Sequence, residues 1–118
     1  MIRHASVYDP PSEEVGLRVL IMRYWPRGVR RERVDVWLKD AAPSTELVRA
    51  YTRGSISWED FARRYQQEVE TRPEVLEQLR ALEREHGTLT LLCYERIPPH
   101  EHCHRQVLQE LLTRARAP

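Results

Sequence analysis

Two apolar runs of strand length stand out along the chain. Leu17–Met22 and Thr88–Cys93 are almost continuously hydrophobic, a pattern typical of strands that are covered on both faces. Ile2–Val7 predicts a third, shorter strand, because the turn-forming segment Asp9–Ser12 follows it. The segment Arg30–Asp40 is ambiguous, since its apolar residues fit either one face of a helix or an extended strand.

Between and after these strands the apolar positions recur at helical spacing. Ser44 and Ser57 are suitable N-caps, and Pro73 occupies a favoured first helical position. Gly54 and Gly87 are placed to end helices. Four helices are predicted by these apolar stripes: Leu47, Val48 and Tyr51; Trp58, Phe61, Tyr65 and Val69; Val75, Leu76, Leu79 and Leu82; and Val107, Leu108, Leu111 and Leu112.

The alternation of strands and helices predicts the fold class. We expect one α/β domain over residues 1–118, a small three-layer structure in which helices flank a short, mainly parallel sheet. Ligands of open parallel sheets bind beyond the carboxyl ends of the strands. The loops after Met22 and after Cys93 are therefore expected at the same edge of the sheet.

The composition excludes several classes of protein. The 118 residues carry a net charge of +1, which does not favour bulk electrostatic binding of nucleic acid. No apolar run approaches the ~20 residues of a membrane span, and the N-terminus lacks the apolar core of a signal peptide. Two cysteines are too few for a secreted disulfide framework. We therefore expect a cytoplasmic protein without membrane contacts, and the pattern favours no particular oligomeric state.

Arginine dominates the basic residues, since Lys39 is the one lysine among 19 basic side chains. Forked guanidinium groups beside the flat rings of Tyr24 and Trp25 suit a phosphate, a carboxylate or a stacked base. The segment here called the arginine loop (residues 23–33) contains Arg23, Arg27, Arg30, Arg31 and Arg33. The turn-forming Trp-Pro-Arg-Gly block holds the first two of these arginines in place, whereas the last three are interpreted as solvated.

A second group of chemically active residue types follows the strand that ends at Cys93. We expect Cys103 in the first turn of the last helix, where the positive helix end and nearby cations lower the pKa of a thiol. Arg105 and the backbone amides of that turn could hold an anion. In the plainest interpretation Cys93 is a small buried hydrophobe and Glu95 is a cap or an ion-pair partner.

Two alternatives exist for the same residues. A zinc site would use ligands from Cys93, His100, His102, Cys103 and His104. No pair has CxxC spacing, however, and the adjacent Cys103 and His104 do not readily face one ion from a helix, so no metal or other cofactor is predicted. The thiols of Cys93 and Cys103 could instead form a redox disulfide.

Six blocks of sequence carry a resemblance to a known family: Tyr8-Asp9-Pro10-Pro11-Ser12, Arg23-x-Trp25-Pro26-Arg27-Gly28, Trp37-x-Lys39-Asp40-x-Ala42-Pro43-Ser44, Trp58-x-x-Phe61-x-x-x-Tyr65, Leu91-Leu92-Cys93-x-Glu95 and Cys103-His104-Arg105. They span nearly the whole chain and resemble the YeaO-like family, also called domain of unknown function 488. The Cys-x-Glu and Cys-His-Arg blocks look more like those of a sister branch. The resemblance implies a small bacterial or archaeal α/β domain and no particular activity.

One position departs from the family pattern. Met22 stands where the YeaO-like pattern usually has an aspartate before the arginine. If that acid serves a shared activity, this chain either lacks the acid or supplies it from elsewhere, with Asp9 and Glu95 as candidates.

The leading hypothesis is an enzyme or ligand-binding domain that acts on a small anionic molecule, nucleotide-like or phosphorylated, at the strand-end edge. In it arginines hold the anion, a tryptophan stacks on the ligand or walls its pocket, and an acid-base group and a nucleophilic or redox thiol supply the chemistry. The residues assigned to the ligand are Arg23, Trp25, Arg27 and Arg105, and those assigned to the chemistry are Glu95, Cys103 and His104.

Two other classes of function compete with this hypothesis. The arginine loop could be a binding patch for nucleic acid or for another protein. Alternatively, the sequence blocks could serve folding and self-association alone.

Overall fold

Four parallel strands and four α-helices make up the part of the chain that the computed structural model describes, which is residues 1–8, 16–93 and 104–114. The predicted α/β fold is confirmed. Among the described helices, none has the length and apolar character needed to cross a membrane. The strands are β1 (Ile2–Ser6), β2 (Leu17–Leu20), β3 (Val36–Trp37) and β4 (Leu89–Cys93), and the helices are α1 (Thr45–Thr52), α2 (Trp58–Glu70), α3 (Pro73–His86) and α4 (His104–Arg114).

The sheet has the strand order β1-β4-β2-β3, and every pair in it is parallel. The last strand is therefore inserted between the first two. Leu89 at the start of β4 lies opposite both Ile2 and Leu17. Because all the strands point the same way, their carboxyl ends meet at one edge of the sheet, as the sequence predicts.

The two faces of the sheet are covered by different parts of the chain. Successive strand residues point to opposite faces, so Val19 and Leu91 pack among the four helices, whereas Leu20 and Leu92 face the other way. The second face is covered by β3, by the arginine loop and by the residues that flank the loop: Met22, Trp25, Val29, Val34 and Trp37. The arginine loop thus forms the outer layer on the side away from the helices.

Local capping signals place the helices where the sequence predicts them. The Ser44 hydroxyl accepts a hydrogen bond from the Leu47 amide at 3.2 Å, and Ser57 caps α2 in the same way. Pro73 is the first residue of α3, and Gly87 ends that helix with a φ of 82°. The ambiguous segment Arg30–Asp40 forms neither a helix nor a long strand, but the two-residue β3 between two short 3-10 turns, Arg31–Arg33 and Lys39–Ala41.

Tyr65 joins three elements in the centre of the helical layer. It is fully buried in α2, and its hydroxyl donates a hydrogen bond to the Ala41 carbonyl oxygen. Its ring meets the imidazole of His104 edge-on, with 5.6 Å between the ring centroids. The aromatic stripe of α2 is therefore core, as its helical spacing indicates, and it supports the first turn of α4.

Gly16 offers a direct test of how tightly β2 and β4 are joined. Its φ is +63°, and a Cβ atom there would lie 2.2 Å from the backbone oxygen of Thr88, which also accepts a hydrogen bond from the Leu17 amide. Gly16→Ala should therefore lower the free energy of unfolding by more than about 2 kcal/mol, measured by urea denaturation.

Gly54→Ala is the matched control for that measurement. Gly54 has a similar φ of +74°, but no atom of the described residues lies within 4 Å of its Cβ position. The loss there should be about 1 kcal/mol, from backbone strain alone. Equal losses for the two variants would show that the contact with Thr88 does not constrain the sheet.

Candidate functional site

At the carboxyl edge of the sheet, the segments that follow β2 and β4 lead to opposite faces. After β2 the chain passes over the second face as the arginine loop, whereas after β4 it continues to α4, which packs among the helices on the first face. Since β2 and β4 are neighbours, their ends form the switch point at which open α/β sheets place a ligand crevice. The candidate site is built from the residues around this point.

Three hydrogen bonds fix the course of the arginine loop. The Tyr8 hydroxyl donates to the Arg27 carbonyl oxygen at 2.9 Å, which ties the loop to the end of β1. The indole Nε1 of Trp25 donates to the Val29 carbonyl oxygen at 2.8 Å, and the Val29 amide closes a turn on Pro26. The loop is therefore held by its backbone, and most of its arginine side chains take no part in holding it.

Four of the five arginines have no side-chain partner among the described residues, namely Arg23, Arg27, Arg30 and Arg31. Arg27, Arg30 and Arg31 are exposed. Arg23 is half-buried, and its Nε atom is buried without a hydrogen bond. Arg33 differs from them, since its Nη1 donates to the Val7 carbonyl oxygen at 3.4 Å. The loop thus presents several uncommitted guanidinium groups beside the strand ends.

Two cavities adjoin the arginine loop. The smaller, here named the anion cavity, has a volume of 160 Å³ and is lined by Val7, Tyr8, Gly28, Val29, Arg30 and Arg33. The larger, here named the tryptophan cleft, has a volume of 460 Å³ and is lined by Trp25, Arg31, Val34, Asp35 and Trp37. The consecutive residues Arg30 and Arg31 line different cavities, so one stretch of loop backbone contributes to both.

Arg105 is directed into the protein at the start of α4. Its side chain is 2% exposed, its Nη1 donates to the sulfur of Cys93 at 2.8 Å, and its Nε donates to Nδ1 of His4 at 3.1 Å. Burial and, to a smaller extent, the neighbouring guanidinium lower the pKa of His4. Arg105 therefore links α4 to β1 and β4 at the strand ends.

His104 contacts the segment that leads into the arginine loop. Its Nε2 lies 2.7 Å from the Ile21 carbonyl oxygen, and because a carbonyl can only accept, Nε2 carries the proton and Nδ1 the lone pair. Burial is the main cause that lowers its pKa to about 4; the nearby charge of Arg105 acts in the same sense, and the bond to Ile21 opposes it. At neutral pH the imidazole is therefore uncharged, and its burial disfavours protonation.

The structure brings together part of the residue set that the sequence predicts. His104 reaches Ile21, two residues before Arg23, and Tyr8 reaches Arg27, so these groups lie along one edge. Trp25 lines the tryptophan cleft while also packing on the second face of the sheet. Glu95 and Cys103 lie outside the described residues, as does Asp9.

Cys93 is buried at the end of β4 and is disulfide-bonded. Cys103, its partner in the alternative redox disulfide, lies outside the described residues. No group of three or more His, Cys, Asp or Glu side chains within residues 1–8, 16–93 and 104–114 is arranged to hold a metal ion. Of the ligands for the alternative zinc site, Cys93 and His104 are described, whereas His100, His102 and Cys103 are not.

Several residues of these cavities are not singled out by sequence reasoning. Tyr8 and Trp37 stand out in the sequence only as members of family blocks, and Arg30 and Arg33 are interpreted there as solvated. A signal for the two arginines does exist, because residues three apart lie on the same side of a 3-10 turn. That turn could not be predicted from a segment whose pattern fits both helix and strand.

The lowered pKa of His104 gives a prediction about stability. Between pH 6.5, the ordinary pKa of the unfolded state, and about pH 4, the unfolded chain binds a proton at this residue that the folded chain does not. The contribution of the neutral imidazole is therefore complete above pH 6.5 and is lost as the pH falls toward 4. Chemical denaturation across this range should show a smaller decline for His104→Gln than for the wild type, by at most about 1.4 kcal/mol per pH unit.

His86→Gln serves as the control for this pH series. His86 is exposed in the last turn of α3. Its variant should retain the decline of the wild type. An unchanged decline in His104→Gln would contradict the assignment of a buried neutral imidazole.

The sequence is similar to a known family and to uncharacterised bacterial proteins. A family described as "Active DUF488-N3 subclade" matches residues 2–116. Uncharacterized proteins of Mycobacterium tuberculosis and Mycobacterium bovis are each 43% identical over 70 residues, which cover 58% of this chain and 59% of the relative. The uncharacterized protein YeaO of Escherichia coli is 36% identical over 70 residues, or 58% of this chain and 61% of its own length.

The match to these relatives spans about three fifths of their length. No solved structure matches the chain. The family match, by contrast, extends over nearly all of the sequence, from β1 through α4. The chain belongs to the YeaO-like DUF488 family, in the group described as its active DUF488-N3 subclade.

Proposed function

We propose that this chain binds a small ligand with a phosphate or carboxylate group at the carboxyl edge of its sheet, and that the arginine loop recognises the anion. The observation that carries the proposal is the anion cavity, where Arg30, Arg33 and Tyr8 surround a space at the end of β1. Forked guanidinium donors bind such oxyanions through two parallel hydrogen bonds.

The size of the anion cavity supports a small charged group as its occupant. Cavities that enclose whole drug-sized ligands measure about 300–1,000 Å³, whereas this one measures 160 Å³. It has room for an anionic head group and not for a large organic molecule. The rest of the ligand would extend from it along the strand-end edge.

The charge distribution also favours an anion. The molecule as a whole carries a net charge of +1, yet four arginines of one loop lack a partner among the described residues. A buried donor without a partner costs about 1–3 kcal/mol, and Arg23 has such a donor at Nε. Arg23 lines neither cavity, but a ligand that extends from the anion cavity along the strand-end edge to the end of β2 would offer this group the acceptor that it lacks.

If the domain is an enzyme, the proposal assigns the chemistry to the residues around α4. His104 is one acid-base candidate, since its uncharged imidazole lies at the strand-end edge and bonds to Ile21. Glu95 is the other acid-base candidate, and Cys103 the nucleophile or redox thiol. The buried Arg105 would support this side of the site through Cys93 and His4.

Binding of inorganic phosphate and pyrophosphate tests the proposed function. Arg30→Gln and Arg33→Gln should each weaken binding about tenfold in calorimetry, because each removes a charge-assisted hydrogen bond. Arg64→Gln is the control, since Arg64 is exposed on α2 and lies outside both cavities. Equal affinities in all three variants, or no anion binding at millimolar concentration, would refute the proposal.

Nucleic-acid binding is the second candidate function, and the exposure of Tyr24 favours it. Its side chain is 70% exposed between Arg23 and Trp25, where a base could stack on it. Under this alternative a single-stranded oligonucleotide binds far more tightly than pyrophosphate. Its affinity should then fall steeply with salt and be lost in the double variant Arg27→Ala, Arg30→Ala. Under our proposal the oligonucleotide shows no such advantage.

The proposed reactivity of the Cys103 thiol is tested by its rate of alkylation. Because Cys93 is disulfide-bonded, a reactive thiol is expected only after reduction. In the reduced Cys93→Ser variant, Cys103 should be alkylated near neutral pH faster than a free cysteine, whose pKa is about 8.5. The reduced Cys103→Ser variant is the comparison, since Cys93 is fully buried. An alkylation rate equal to that of free cysteine would return Cys103 to a structural role.

A further inference from the structure

The tryptophan cleft is large enough for the organic part of a ligand. Its volume of 460 Å³ falls within the range of about 300–1,000 Å³ that is typical of small-molecule sites. Trp25 and Trp37 supply aromatic surface, and Val34 adds an apolar side chain. The anion cavity is lined by the same loop, which contributes Arg30 to that cavity and the next residue, Arg31, to the cleft.

Both indole rings of the cleft are held in fixed orientations. Nε1 of Trp25 donates to the Val29 carbonyl oxygen at 2.8 Å, and Nε1 of Trp37 donates to the Met22 carbonyl oxygen at 2.7 Å. The ring centroids are 5.3 Å apart and the planes meet at 72°. A flat ligand would therefore find its aromatic surface already arranged, without the cost of ordering the two side chains.

The two charged residues that line the cleft, Asp35 and Arg31, differ in whether they have a bonding partner. Asp35 accepts three hydrogen bonds from Arg18, at 2.8 Å from the backbone amide and at 3.1 and 3.0 Å from the guanidinium. These bonds also lower the pKa of Asp35, so its charge is balanced by Arg18. Arg31 has no side-chain partner among the described residues. The cleft thus combines fixed aromatic rings with one uncommitted cation.

We infer that the tryptophan cleft binds the planar aromatic ring of an anionic ligand, of the class of a nucleoside monophosphate, with its phosphate directed toward Arg30 and Arg31. Trp25 and Trp37 contact the ring, as indoles do with nucleobases. Arg31 contacts the phosphate. This inference rests on the proposed function. It adds to the anionic group of the ligand an aromatic ring that carries this group.

The test compares three probes: adenosine monophosphate, adenosine and inorganic phosphate. Tryptophan fluorescence reports on the cleft in a Trp58→Phe background, because Trp58 packs on Phe61 in the core, away from the loop. Adenosine and adenosine monophosphate should both quench the emission, and phosphate should not. Adenosine monophosphate should bind about tenfold or more tightly than phosphate alone, since a stacked base adds to the affinity.

Arg31→Gln separates recognition of the charge from packing of the rings. Arg31 is exposed, so this variant should fold normally, which a circular dichroism melt confirms. It should reduce the affinity for adenosine monophosphate about tenfold and leave that for adenosine unchanged. Arg64→Gln on α2 should change neither.

The outcomes distinguish the inference from the proposed function. Phosphate binding that depends on Arg30 and Arg33, without quenching by adenosine or its monophosphate, overturns the cleft and leaves the anion cavity intact. Quenching by adenosine with no phosphate binding overturns the anion proposal instead. A single-stranded oligonucleotide that quenches far more strongly than the mononucleotide overturns the inference of a mononucleotide ligand and favours the nucleic-acid alternative.

Discussion

The insertion of β4 between β1 and β2 is the constraint on which the rest of this structure depends. The two N-terminal strands do not pair with each other, so each is held in the sheet by Leu89–Cys93, which arrives after three helices. All five residues of β4 are buried. Because every pair is parallel, this insertion also fixes which ends of the strands lie together. The candidate site at the carboxyl edge follows from it.

The same insertion separates the chain onto two sides of the sheet. Helices cover one face with a continuous apolar cluster, whereas a loop rich in arginine covers the other. Such a loop has to bury apolar surface and yet leave its charges in water. The two indoles reconcile these demands, since they pack against Leu20 and Leu92, bond to the loop backbone, and still line a cleft. Apart from Arg33, the guanidinium groups of the loop make no side-chain bond to the described residues, so they take no part in holding it.

Local signals explain why much of the fold could be predicted. Ser44, Ser57 and Pro73 act within one turn of helix, and the runs around Val19 and Leu91 are apolar enough to specify buried strands by themselves. The segment around Val36 could not be predicted, because a two-residue strand has no periodicity of its own. Its pairing with Val19 and Leu20 determines its conformation. The α/β class and the shared strand-end edge were therefore accessible from sequence, and the course of the loop was not.

The sequence by itself determined the helices with their caps, the three longer strands and the family to which the chain belongs, since these depend on neighbours a few residues apart or on blocks of motif. The tertiary structure decided which arginine side chains are buried against other residues and which line a cavity. Arg105 is directed to Cys93 and His4, while Arg30 and Arg31, one residue apart, line different cavities. No local pattern contains that information, because the environment of a long charged side chain is set by residues that lie far away in the sequence and adjoin it only once β4 has joined the sheet.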